Sequence, residues 1–106
     1  MNFNNILIPG CPLCDIFLNP KENIKTKLHY QDNSKISESD FVILDCRSCK
    51  IPMVVVRDHV EEIQKELWGR ILRECRYQFG YSSRLRCAPR TIKDHYHCHL
   101  IVKRNY

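Results

Sequence analysis

Three histidines alternate with other residues in the segment His95-Tyr96-His97-Cys98-His99, near the C-terminus of the chain. Because successive side chains of an extended strand point to opposite faces, the three imidazoles are expected on one face. Neighbours in such a row lie about 6.6 Å apart along the strand, at about 3.3 Å per residue. Two imidazoles could then flank one phosphate, or one could hold a metal while the next does chemistry, and imidazole suits both tasks near neutral pH. The segment is therefore predicted to be a functional site.

Two Cys-x-x-Cys pairs, Cys11/Cys14 and Cys46/Cys49, are the second group of residues suited to chemistry. Four thiolates from two such pairs make a tetrahedral zinc ribbon. The chain has seven cysteines, and this odd number argues against a fully paired disulfide framework. Residues 4–9 resemble neither a signal peptide nor a transmembrane helix, so we expect a cytoplasmic location and no membrane partner. In a reducing cytosol, paired cysteines indicate a metal. The remaining cysteines are predicted to be core residues: Cys75, Cys87 and Cys98.

The elements that must position these residues follow from the hydrophobic pattern of the 106 residues, which fit one domain spanning 1–106. Strands are predicted at residues 25–31, 41–44, 53–56, 82–87 and 94–102. A long helix is predicted from Asp58, as N-cap, to Gly80, with an apolar stripe that recurs every three or four residues. These elements predict an α+β fold, an antiparallel sheet of about five strands with one long helix packed on it.

The positive charge of the chain is concentrated in its second half. The net charge is +5, and residues 70–93 hold seven Lys or Arg against the single acid Glu74. Such a field attracts phosphate-bearing partners. Because basic and aromatic residues do not interleave as in base-stacking surfaces, a small nucleotide is favoured over nucleic acid. The candidates for phosphate contact are Arg84, Arg86, Arg90 and Lys93.

The pattern from His95 to Val102, in which histidines alternate with other residues and apolar residues follow, resembles the motif of the histidine-triad superfamily. The resemblance extends over nearly the whole chain and implies the HIT-like fold and a homodimer. It also implies a nucleotide hydrolase or nucleotidyltransferase that acts at the α-phosphate of compounds such as nucleotide phosphoramidates or dinucleoside polyphosphates. By resemblance, His97 is the nucleophile, forming a nucleotidyl-histidine intermediate, and His99 donates to a phosphate oxygen or to the leaving group.

The resemblance also implies a second set of zinc ligands. Zinc-bearing members use an early Cys-x-x-Cys, a histidine after the second central strand and the first histidine of the triad. The matching residues here are Cys11, Cys14, His59 and His95. Four protein ligands leave no position for water, so this zinc would be structural. The four-cysteine ribbon and a chain without metal remain the alternatives.

The chain departs from the family in the stretch before the triad, residues 87–94. Many members carry a Gly-Gln or Asn-rich sequence there that contacts phosphate, whereas this chain offers Arg90 and Thr91, which we predict to bind substrate together with His99. Ile24 and Phe41 are candidates for contact with the base, with core packing the other expectation for Phe41. The alternative function is a zinc-stabilised module that binds nucleotide or nucleic acid without catalysis.

Overall fold

Five strands and three α-helices make up the regular structure of residues 11–47, 50–60, 62–80, 83–87 and 95–102, the part of the chain that the computed structural model describes. In chain order the elements are α1 (Pro12–Leu18), α2 (Pro20–Asn23), β1 (Leu28–Gln31), β2 (Phe41–Asp45), β3 (Pro52–Val56), α3 (Lys65–Phe79), β4 (Ser83–Arg86) and β5 (His97–Val102). A short 3₁₀ turn, Ile36–Glu38, lies between β1 and β2.

All five strands belong to one antiparallel sheet in the order β1-β2-β3-β5-β4. The triad strand β5 therefore lies between β3 and β4. It pairs with β3 in the register Met53↔His99 and Val55↔His97. The α+β class and the antiparallel sheet are confirmed, while the HIT-like topology stays a prediction.

The helix α3 covers one face of the sheet. Ile71 and Cys75 are buried against side chains from β2, β3 and β5: Phe41, Ile43, Val54, Val56, Cys98 and Leu100. Burial raises the pKa of the Cys75 thiol to about 11, so this cysteine is a small core residue, as predicted. Phe41 faces α3 and is 1% exposed, which makes it a core residue and not a contact for a base on the histidine side.

The short helix α1 covers part of the opposite face. Pro12 occupies its first turn, where the missing backbone N–H costs nothing. Leu13, Ile16 and Phe17 pack against the sheet side chains Val42, Leu44, Met53 and Val55. Ile24 packs at the border of this cluster, on the same side of the sheet as His97. Helix α1 therefore covers β2 and β3 on the face that carries the triad.

The predicted N-cap of the long helix is wrong by six residues. The helix α3 begins at Lys65, with Gln64 as N-cap, and not at Asp58, whose carboxylate pairs with the Arg57 guanidinium at 3.3 Å. The carbonyl of Val60 accepts a hydrogen bond from the Tyr96 N–H at 2.6 Å. The backbone of Val60 is therefore bonded to the residue that precedes β5 and does not continue into a helix. A tertiary contact has therefore overridden a local capping signal.

The predicted end of the helix is confirmed. Gly80 follows the last turn with a φ of +92°, a backbone conformation that residues with a Cβ rarely adopt, and its N–H donates to the Arg76 carbonyl at 2.9 Å.

Arg70 connects α3 to the segment between β1 and β2. Its guanidinium donates to Asp32 at 2.5 Å and to Asp40 at 2.8 Å, and the Asp32 side chain is only 8% exposed. The hydrogen bond to Asp40 is the main cause that raises the pKa of Arg70.

We expect Arg70→Gln to lower the free energy of unfolding by about 1–2 kcal/mol, because it leaves Asp32 nearly buried and without its cation. Urea denaturation measures the loss. Arg73→Gln, an exposed residue of the same helix, is the matched control and should leave the midpoint unchanged; equal midpoints for all three proteins would contradict the prediction.

Candidate functional site

Two cysteines and two histidines from three separate parts of the chain converge beside α1. The ligand atoms of Cys11, Cys14, His59 and His95 all lie within 4.8 Å of one another. The Cys14 Sγ is 3.3 Å from Nδ1 of His59 and 3.3 Å from Nδ1 of His95, and the Cys11 Sγ is 3.6 Å from Nδ1 of His95. Tetrahedral zinc with ordinary bond lengths separates a sulfur and a nitrogen ligand by about 3.6 Å. The cluster has the donors and the spacing to hold a metal ion.

Three parts of the chain position the four candidate ligands. Cys11 is the N-cap of α1 and Cys14 lies in its first turn, so a spacing of three residues places both sulfurs on one side of the helix. His59 belongs to the non-helical segment that follows β3, and His95 lies at a bend just before β5. The cluster thereby joins α1 to the segment that leads into β5.

The ring of His95 is oriented by a hydrogen bond on its far side. Its Nε2 lies 2.7 Å from the carbonyl oxygen of Val56, and because a carbonyl only accepts, Nε2 carries the proton. The Nδ1 lone pair is then directed toward the two cysteine sulfurs. A metal-ligating histidine is held in this way in most protein sites. His95 and Cys14 are both fully buried.

His97 and His99, the other two histidines of the segment 95–99, lie in β5 and share one face of the sheet. Their ring centroids are 5.9 Å apart with an interplanar angle of 73°. The prediction of a shared strand face is therefore correct for His97 and His99 and wrong for His95, which precedes the strand. This difference has a structural cause, since the buried ring of His95 contacts Cys14 instead of standing in the row.

A backbone hydrogen bond selects the tautomer of His97. Its Nδ1 lies 2.8 Å from the carbonyl oxygen of His95, so Nδ1 donates and Nε2 is left with the lone pair. The ring is partly exposed. In the neutral ring, His97 therefore presents the Nε2 lone pair beside a second imidazole, and such a nitrogen is chemically able to act as a nucleophile.

Several predicted residues lie outside the described part of the chain. Arg90 and Thr91, the predicted substrate contacts, belong to this group together with Lys93 and Cys49. Of the alternative four-cysteine set, Cys46 packs at the border of the core beneath α1. It is not a member of the cluster that brings Cys11 and Cys14 together with two histidines.

The structure also joins two cysteines that we expected to be core residues. Cys98 is fully buried in the core and Cys87 packs against it, as predicted, but the two also form a disulfide, which the sequence analysis did not predict. The register explains the pairing. Arg86 lies opposite His99, and because the strands are antiparallel, the residue after Arg86 lies opposite the residue before His99, which places Cys87 opposite Cys98. The sequence separation of 11 residues between the two cysteines does not by itself predict this disulfide. The bond fastens the end of β4 to β5 between the two histidines.

Two arginines of β4 lie on the histidine face. In the pairing of β4 with β5, Arg86 is opposite His99 and Arg84 is opposite Ile101. Directly paired residues of antiparallel strands project from the same face, so both guanidinium stems stand beside the histidine row. Sequence reasoning placed these arginines among four basic candidates but could not single them out, because the register of two strands is not visible in the sequence.

Comparison of the chain with protein-family models, curated proteins and solved structures returned no match. Among the described residues, no helix has the length and apolar character needed to cross a membrane.

Proposed function

We propose that this chain is a histidine-triad nucleotide hydrolase or nucleotidyltransferase that forms a nucleotidyl-histidine on His97. The observation that carries the proposal is the hydrogen bond from His97 Nδ1 to the His95 carbonyl, which leaves Nε2 as the nucleophilic nitrogen. Its support from the sequence is the resemblance of residues 95–102 to the triad motif. The substrate class is a small nucleotidyl compound, attacked at its α-phosphate.

The reaction proceeds in two displacements. In the first, the Nε2 lone pair of His97 bonds to the α-phosphorus, and the bond to the leaving group breaks with its electron pair on that group. A proton from His99 neutralises the departing atom. In the second, a water oxygen attacks the same phosphorus, the Nε2–P bond breaks with its electron pair returning to His97, and the proton of the water passes to His99. The products are a nucleoside monophosphate and the protonated leaving group.

We further propose that the metal in the cluster is zinc and that its role is structural. Two thiolates and two imidazoles make a common tetrahedral zinc set, and four protein ligands leave no position for a reacting water. The supporting geometry is that the ring of His95 lies in the cluster, with Nδ1 3.3 Å from the Cys14 sulfur, while its backbone carbonyl accepts a hydrogen bond from His97. Fixing His95 would therefore also fix the orientation of the nucleophile.

A homodimer and a cytoplasmic location complete the proposal. The homodimer rests on the family resemblance alone. The Cys87–Cys98 disulfide is an observation against a cytoplasmic location, because disulfides are rare in a reducing cytosol. Alkylating the thiols before lysis and measuring the mass of this cysteine pair distinguishes the two settings: a reduced pair supports the cytoplasm, and an oxidised pair contradicts it.

The test of the proposed activity is a covalent adduct. The protein is incubated with adenosine 5′-phosphoramidate, quenched rapidly and analysed by peptide mass spectrometry. We expect an adenylyl group on His97 in the wild type, none in His97→Gly, and an unchanged adduct in the control His29→Asn, whose histidine lies in β1 and contacts Asp45. Nucleotide binding with neither adduct nor released product would overturn the enzyme and support the zinc-stabilised binding module.

A further inference from the structure

The face of the sheet that carries His97 and His99 also carries two arginines of β4. Along β5, His97 is followed on the same face by His99 and then by Ile101, which is 42% exposed. Beside these residues in β4 stand Arg86, opposite His99, and Arg84, opposite Ile101. Residues two apart in a strand are separated by about 6.6 Å. Arg86 therefore lies one such step along the strand from His97, and Arg84 lies two.

The guanidinium groups of Arg84 and Arg86 differ from those of two other arginines, which are held by carboxylates. Arg70 is held by two aspartates and Arg57 pairs with Asp58. By contrast, Arg84 and Arg86 are exposed, and neither guanidinium forms an ion pair or hydrogen bond with any side chain or backbone group that the structure describes. Two uncommitted guanidiniums next to an imidazole pair are well suited to bind phosphate, since their planar fork matches phosphate oxygens.

The two sides of the face that carries His97 and His99 differ, because helix α1 covers only one of them. It covers β2 and β3 with the apolar side chains Leu13, Ile16 and Phe17, whereas the side of β4 carries the arginines. A substrate whose α-phosphate lies at His97 therefore has helix α1 on one side and the positive charge of β4 on the other. The charged side suits the part of the substrate that departs.

We propose that Arg84 and Arg86 form a subsite for the leaving group, and that the substrates are nucleotidyl compounds whose leaving group carries further phosphates. This inference rests on the proposed function, and it selects polyphosphate-linked substrates over phosphoramidates with a neutral amine. Bound to the arginines, the departing phosphates leave with their developing charge already compensated. The two sources of such a group are a nucleoside polyphosphate and the 5′-phosphate end of an oligonucleotide.

Charged residues on an edge strand also have a structural explanation, because they prevent sheets from pairing edge to edge. That role depends only on the charge of β4 and is indifferent to the substrate. The two explanations therefore differ in one measurable quantity, the dependence of catalysis on the leaving group.

The experiment compares kcat/KM for three adenylyl donors that share an α-phosphate. The donors are adenosine 5′-phosphoramidate, diadenosine tetraphosphate and a 5′-adenylated oligonucleotide. The proteins are the wild type, the double variant Arg84→Gln/Arg86→Gln, and Arg73→Gln, which removes an exposed charge from α3 on the other side of the sheet. We expect the double variant to lose on the order of 30-fold in kcat/KM for the phosphate-rich donors and less than about threefold for the phosphoramidate, with the control unchanged.

The outcomes separate the inference from the function on which it depends. An equal loss on all donors, or no loss, overturns the leaving-group subsite while the activity stands. Wild-type cleavage of the phosphoramidate alone does the same. If the wild type cleaves no donor, the proposed function itself is wrong and the subsite falls with it. Selective loss on diadenosine tetraphosphate or on the oligonucleotide identifies the source of the phosphates.

Discussion

Replacing His97 by asparagine is expected to lower turnover of adenosine 5′-phosphoramidate by about 10⁴-fold, the scale of removing a nucleophile. Asparagine can still donate its amide hydrogen to the His95 carbonyl, as Nδ1 of the imidazole does, but it has no nitrogen lone pair at the Nε2 position. The variant therefore retains the local hydrogen bond and loses only the attacking atom. Steady-state release of AMP measures the effect, and circular dichroism verifies that the fold is intact.

The neighbouring His99 provides the comparison that makes this result specific. His99→Asn is expected to lower turnover less, by about 10²–10³-fold, because it removes a proton donor and leaves the nucleophile in place. The loss should shrink for a p-nitrophenyl ester of AMP, whose leaving group needs no proton. If His97→Asn retained more than a tenth of wild-type turnover, or if His99→Asn were the more damaging change on every substrate, the assigned roles would be wrong.

Loss of one metal ligand is expected to have the largest effect on stability. Cys14 is fully buried and its sulfur lies 3.3 Å from a nitrogen of each histidine in the cluster. We expect Cys14→Ser to abolish the binding of one zinc per chain and to lower the free energy of unfolding by several kcal/mol, since structural zinc contributes about 10–16 kcal/mol in small zinc-dependent domains. Elemental analysis and thermal unfolding with and without a chelator measure both effects.

The control for the metal prediction is Cys46→Ser, which changes a cysteine outside the cluster. It should retain the metal, whereas a four-cysteine ribbon predicts its loss. Because Cys14→Ser could fail to fold, the wild type is also loaded with Co²⁺, whose thiolate charge-transfer absorption reports the number of sulfur ligands. An absorption typical of four thiolates, or no metal in the purified wild type, would contradict the mixed site.

Much of the scaffold is visible in local sequence patterns. The continuous apolar runs at residues 41–44 and 53–56 lie in the central strands β2 and β3, as predicted, because a strand covered on both faces needs apolar side chains on both. The alternation of His97 and His99 with Cys98 and Leu100 places the imidazoles on one face and core residues on the other. The proposed metal ligands were likewise named from the sequence, through the family resemblance, and the structure brings all four together.

Other features could not be predicted, because they depend on contacts between distant segments. The capping signal at Asp58 is a local preference, and the backbone contact of Val60 with Tyr96 outweighs it. The disulfide between Cys87 and Cys98 and the position of Arg86 beside His99 follow from the register of β4 against β5.

Local periodicity predicts which side chains face the core, because the geometry of a single strand or helix imposes it. Which residues come into contact depends on the packing of distant segments. His95 lies 81 residues from Cys14, and their contact exists only because α1 packs on the sheet next to the start of β5. Neighbours within a strand are set by local geometry, whereas neighbours between strands are set by how the whole core packs.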